Sequence, residues 1–132
     1  MSYNIPVRVR HLIERVGHPD PYAIARELKC EIIVCDLPRH INGMWQRVLR
    51  RKYIFVNERL ADWQQETVIA HELGHIILHK GYHASIIRQQ SYSNSNNERE
   101  ADEFAVLLMQ EHCGDAPYDF AAFLKYGTEL LV

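Results

Sequence analysis

The chain has 132 residues, of which 47% are hydrophobic, and this is enough apolar material for one hydrophobic core without disulfide support. Its 15 basic and 17 acidic residues lack the basic excess of proteins that bind nucleic acid, so direct nucleic-acid binding is disfavoured. No apolar run reaches the roughly 18 residues that a membrane span needs, and no secretion signal is evident. We therefore predict one domain over residues 1–132, in the cytoplasm and away from the membrane.

The three cysteines form an odd set that shows no disulfide pattern and no complete metal-binding pattern. Cys30 and Cys35 flank an apolar stretch that is typical of a buried strand. We therefore interpret Cys30, Cys35 and Cys113 as core residues of a protein in a reducing compartment.

Two short helices are predicted at the start of the chain. Apolar residues recur at helical spacing from Ile5 to Val16, and Gly17 ends that run. Asp20 followed by Pro21 is a strong start signal for the second helix.

Three short stretches rich in β-branched and aromatic residues follow, at 31–36, 41–49 and 52–57. They predict a small, mostly antiparallel, three-stranded sheet. Asp62 and Gln65 then have capping-box spacing, and they start a central helix that runs to Gly81. We predict a long loop over 82–96, a helix from Asn97 and a last helix over 118–131. The expected fold class is α+β, a small zincin-like domain with about five helices.

The central helix contains the sequence HELGH at residues 71–75. His71 and His75 are a little over one helical turn apart, so both imidazoles can meet one metal ion. Glu72 is better placed to hold the attacking water as a general base than to bind the ion. Gly74 suggests that another element packs closely there, because glycine costs a helix ~1 kcal/mol relative to alanine. The alternative is a chance match in a chain with eight histidines.

A catalytic zinc site needs a third protein ligand, and acidic residues at 98–102 offer it. Glu98 is the best candidate because it lies nearest to the apolar face of its predicted helix, and Glu100 is the fallback ligand. Asp102 could accept a hydrogen bond from the outer nitrogen of one ligand histidine. In the competing interpretation Glu98 belongs to a capping box with Ser95, and Asp102 is a solvated charge.

His79 extends the histidine series but lies ~12 Å along the helix from His71, too far to bind the same ion. We interpret it as a packing residue or as support for a ligand. Because the longer three-histidine motif is absent, a zincin with a glutamate ligand is predicted. The two histidines and one carboxylate would also accept other divalent metals.

With these motifs the sequence resembles the ImmA/IrrE-type metallopeptidases. The resemblance covers roughly residues 20–110 and includes the HELGH segment, the following Leu78 and His79, and the ExEADxFA element over 98–105. It implies a cytoplasmic Zn²⁺ endopeptidase that cleaves or inactivates a helix-turn-helix repressor, often in a phage or other mobile element. It further implies that His71, His75 and Glu98 are ligands and that Glu72 is the base.

Two further hypotheses concern the mode of action. The chain could instead be a repressor-binding module whose zinc is structural and which hydrolyses nothing. The strand around Gly43, Met44 and Trp45 could bind an extended substrate by strand addition, unless Trp45 is simply a core residue.

Overall fold

The computed structural model describes residues 4–79 and 95–126. Helix α1 (Ile5–Val16) begins after Asn4, whose side chain accepts a hydrogen bond from the Val7 amide, and it ends at Gly17 with φ +92°. Helix α2 (Pro21–Glu27) begins after Asp20, whose carboxylate accepts from the Tyr22 amide at 2.9 Å. Both helices therefore begin where the sequence predicts, and α1 ends at the predicted Gly17.

The sheet contains β1 (Cys30–Cys35), β2 (Gly43–Val48) and β3 (Arg51–Asn57) in the order β1-β3-β2. A two-residue turn joins β2 to β3 as an antiparallel hairpin, whereas β1 pairs with β3 in parallel. The sheet is thus mixed rather than mostly antiparallel. The reason is that β3 returns between its two predecessors, a choice that strand propensity does not encode.

Three helices complete the described chain: α3 (Asp62–Leu78), α4 (Ser95–Cys113) and α5 (Phe120–Tyr126). The predicted capping box at Asp62 is wrong. Helix α3 is preceded by Ala61, whose amide donates to the Gln64 side chain at 2.9 Å, while the Gln65 side chain donates to the Leu60 carbonyl.

Most of the predicted loop 82–96 lies outside the described residues, but positions 95 and 96 belong to α4. The last helix is observed over Phe120–Tyr126, and the remainder of its predicted range also lies outside the described residues. Within residues 4–79 and 95–126, the α+β class, three strands and five helices agree with the prediction.

The core lies where α3 and α4 pack against each other and against the sheet. The apolar face of α4 is fully buried, as the periodicity predicts, through Ala101, Phe104, Ala105 and Leu108. A Cβ atom on Gly74 would lie 3.1 Å from Phe104 Cδ1 and 3.2 Å from Ala101 Cα. Gly74 therefore lets α4 approach the backbone of α3, as its position in the motif suggested.

Trp45 is 5% exposed and belongs to the core, as does Cys30, whereas Cys35 and Cys113 are half-buried. No disulfide links these three cysteines. Within the described ranges, no helix combines the length and apolar character that crossing a membrane requires.

Candidate metal centre

Two helices contribute the three side chains of the candidate centre. The helical spacing of His71 and His75 on α3 turns their rings toward the first turns of α4, and the ring centroids are 4.8 Å apart. Glu98 reaches both rings, with Oε1 3.1 Å from His71 Nε2 and Oε2 2.9 Å from His75 Nε2. The three predicted ligands therefore converge on one point.

The outer nitrogen of each histidine faces a different group. His71 Nδ1 lies 2.8 Å from Asp102 Oδ1, one helical turn beyond Glu98. His75 Nδ1 lies 3.0 Å from His79 Nδ1, and His79 Nε2 lies 2.9 Å from Glu100 Oε1. Such contacts fix the tautomer and the orientation of a ligand histidine.

These contacts bear on the alternatives left open by the sequence. The Glu98 carboxylate contacts both histidines, as the metal-ligand interpretation requires. Asp102 contacts His71 rather than solvent alone. Glu100, the fallback ligand, is not brought to His71 and His75 but to His79. The geometry thus favours Glu98 as the third ligand.

The sequence predicted part of the hydrogen-bonded chain from His75 through His79 to Glu100. His79 was expected to pack or to support a ligand, but its link to Glu100 was not foreseen. The four-residue spacing from His75 was the available signal, since it places both rings on one helix face.

The charges of the centre are strongly coupled. Burial alone would lower the pKa of His71, but hydrogen bonds to Asp102 and Glu98 raise it to about 10. Burial would raise the pKa of Glu98, but its hydrogen bonds with His71 and His75 hold that pKa well below its usual range. In this state the Glu98 carboxylate lies against a protonated His71, and a divalent cation would have to displace that proton.

Glu72 is the residue of the motif that takes no part in this network. It is 3% exposed, and its Oε1 atom is buried with no hydrogen-bond partner in the described part of the chain. Burial raises the pKa of the Glu72 carboxyl. A buried carboxylate oxygen without a partner is costly, so it points to a bound group or to a catalytic role.

The donor set fits a divalent metal of zinc type. One ligand atom from each of His71, His75 and Glu98 lies within 4.8 Å of the others. Tetrahedral zinc with bonds of about 2.0–2.1 Å separates its ligand atoms by roughly 3.3 Å, which lies within that span. Two imidazoles and one carboxylate are also a ligand set that catalytic zinc sites use.

Comparison with known proteins identifies the family. Residues 25–113 match the family model of Peptidase M78, described as the IrrE N-terminal-like domain. The chain belongs to this family. M78 peptidases are metallopeptidases, so the chain carries a metallopeptidase-type domain, and the resemblance to ImmA/IrrE-type proteins is confirmed.

One curated relative supports the same assignment. The chain is 31% identical over 106 residues to "Uncharacterized immunity region protein 2" of Bacillus phage phi105, across 80% of this chain and 67% of the relative. No solved structure matches the chain.

Proposed function

We propose that this M78 chain is a zinc-dependent endopeptidase in which His71, His75 and Glu98 hold the metal and Glu72 is the general base. The observation that carries the proposal is the buried Glu72 Oε1 atom, which has no hydrogen-bond partner among residues 4–79 and 95–126 and lies on the same helix as two members of a three-residue ligand set. A purely structural metal site would have no use for such a carboxylate, whose burial costs stability.

Each residue of the centre has a separate role in the proposed hydrolysis. Bound zinc supplies Lewis acidity, which activates water and polarises the scissile carbonyl. Glu72 accepts a proton from the attacking water as the new C–O bond forms, and it delivers that proton to the leaving amine as the C–N bond breaks. Asp102 and His79 keep the two rings in place.

The proposed substrate is a helix-turn-helix transcriptional repressor or a similar regulatory protein in the cytoplasm. The resemblance to ImmA/IrrE-type peptidases implies this class of partner. The curated relative is described as an immunity region protein of a phage, which fits a regulatory substrate. The three free cysteines fit a reducing compartment.

Strand β2 offers a place for an extended substrate, because β3 is its one sheet neighbour among the described strands. The Asn57 amide donates to the Asn42 carbonyl, so these two residues form a hydrogen-bonded pair. Hydrogen-bonded and non-hydrogen-bonded pairs alternate along an antiparallel ladder, so the backbone N–H and C=O groups of Met44 face β3. The backbone groups of Arg47 face outward.

Arg47→Pro should therefore slow cleavage, because proline removes the N–H that an added substrate strand would use, while Arg47→Ala should not. Equal rates in both variants would exclude strand addition at this position.

Glu72→Gln tests the proposal. We expect the variant to keep its zinc but to cleave about 10²–10⁴-fold more slowly than the wild type, because a general base is removed. Cleavage can be read by mass spectrometry on an unbiased peptide library and on a co-expressed repressor. Glu111→Gln, exposed on α4, is the matched control and should cleave normally.

Two results would contradict the peptidase. Zinc-loaded wild type that cuts neither library nor repressor would do so, and so would a Glu72→Gln variant with undiminished cleavage. A Glu72→Gln chain that still inactivates the repressor without cutting it would support the binding module with a structural zinc instead.

A further inference from the structure

A second cluster of metal-binding side-chain types lies on the same helix pair, away from the candidate centre. Glu66 on α3 and the adjacent His112 and Cys113 on α4 each offer one ligand atom, and these atoms lie within 4.8 Å of one another. His112 Nε2 is 3.4 Å from Glu66 Oε2. All three residues are half-buried, so solvent and ions can reach them.

The antiparallel packing of α3 and α4 creates this second meeting point. His71 meets Asp102 at one end, and Glu66 meets His112 at the other. Glu66 precedes His71 by five residues, about 7.5 Å along the helix, and His112 follows Asp102 by ten residues, about 15 Å. One ion could not serve both clusters.

We propose that Glu66, His112 and Cys113 form a second metal site, which takes Zn²⁺ and ties the end of α4 to α3. A thiolate, an imidazole and a carboxylate together suit zinc and disfavour Mg²⁺ and Ca²⁺, which prefer oxygen ligands alone. A water molecule would complete four-coordination. The proposal does not depend on peptidase activity at the first centre.

Local structure holds the cysteine in position. Cys113 is the last residue of α4, and the following Gly114 adopts φ +60° while its amide donates to the Gln110 carbonyl at 3.0 Å. This left-handed helix end fixes the backbone that carries two of the three ligands.

The electrostatics favour a cation over a reactive free thiol. Burial and the nearby charge of Glu66 raise the pKa of the Cys113 thiol, which is the opposite of what a nucleophilic cysteine needs. A divalent cation would offset the Glu66 charge and release the thiol proton to solvent. The long contact between His112 and Glu66 leaves room for both to turn toward an ion.

Cobalt(II) is the probe, because cobalt bound to a thiolate gives a near-ultraviolet charge-transfer band and the first centre has no sulfur ligand. We expect titration of the metal-free chain with Co²⁺ to produce this band. Cys113→Ser should abolish it, and Glu66→Gln should weaken the binding that produces it at least tenfold. Cys35→Ser, which changes another half-buried cysteine, should leave the band unchanged.

A variant without the first centre separates the two sites. His71→Ala should lose cobalt at the first centre and retain the thiolate band. The proposal is overturned if saturating Co²⁺ gives no band, if the band survives Cys113→Ser, or if His71→Ala removes it. Should Cys113→Ser fail to fold by circular dichroism, Glu66→Gln decides, and unchanged cobalt binding in that variant excludes the site.

Discussion

The two ends of the α3–α4 pair carry similar side-chain types but differ in how firmly these are held. At the end near Glu98, both ligand histidines have a further contact on their outer nitrogen. At the end near Glu66, one 3.4 Å contact joins half-exposed side chains. The first centre is thus organised by the protein, whereas the proposed second site would be organised by its ion. Preorganisation is what catalysis requires, and a structural site can do without it.

The largest expected effect is the loss of zinc from the first centre when its third ligand is removed. In a Cys113→Ser background, which removes the proposed second site, we expect about one zinc per chain. Glu98→Ala should lose it, because a directly bound ligand is deleted, while Glu100→Ala should retain it at saturating zinc. Mass spectrometry of the purified proteins measures this. Zinc that is lost from Glu100→Ala and kept in Glu98→Ala would assign the third ligand to Glu100.

The close approach of α4 at Gly74 should be the next most sensitive feature. Gly74→Val would place side-chain carbons against Phe104 and the Ala101 backbone, and overpacking of this kind costs about 1–3 kcal/mol in the free energy of unfolding. Chemical denaturation measures the change. The exposed control Gln110→Val, near the other end of α4, should change stability by no more than about 0.5 kcal/mol. Equal effects would mean that Gly74 does not set the helix spacing.

The supports of the two ligand histidines can be compared directly. Asp102→Asn should weaken zinc binding about 10–100-fold, because Asp102 contacts a ligand histidine. Glu100→Gln should weaken it less, since Glu100 acts through His79. Competition with a chelator gives both affinities. A larger loss in Glu100→Gln would reverse the order of the two supports.

The pH dependence of the metal-free chain tests the ion pairs at the first centre. The folded pKa of His71 is raised from 6.5 to about 10, so its contribution to stability is full below pH 6.5 and is lost toward pH 10. Glu98 has a depressed pKa, so its contribution is full above pH 4.5 and is lost in acid. We expect the highest melting temperature between these values, with a fall toward alkaline pH.

Zinc loading provides the control for this pH profile. Bound metal keeps His71 deprotonated at neutral pH, so the alkaline fall should disappear in the zinc-loaded chain. A metal-free chain that gains stability between pH 6.5 and pH 10 would contradict the ion-pair network.

The local elements of this protein follow closely from its sequence. Asp20 with Pro21 and the Gly17 stop define the first helices, and the spacing within HELGH places two imidazoles on one face. These predictions succeed because they depend on backbone geometry within one or two turns. The capping of α3 was mispredicted by one residue: the cap is Ala61 with Gln64, not Asp62 with Gln65, because boundary signals compete over so few residues.

The strand order and the contacts between distant side chains could be read only from the tertiary structure. The mixed sheet depends on the insertion of β3 between β1 and β2. The contact of Glu98, rather than Glu100, with His71 and His75 depends on the packing of α4 against Gly74. The meeting of Glu66 with His112 depends on the same antiparallel packing. The sequence alone determined the chemical types of the site and the helix that presents two of them. Only the folded chain decided which distant carboxylates complete it, because helix faces meet through side-chain packing that no local spacing encodes.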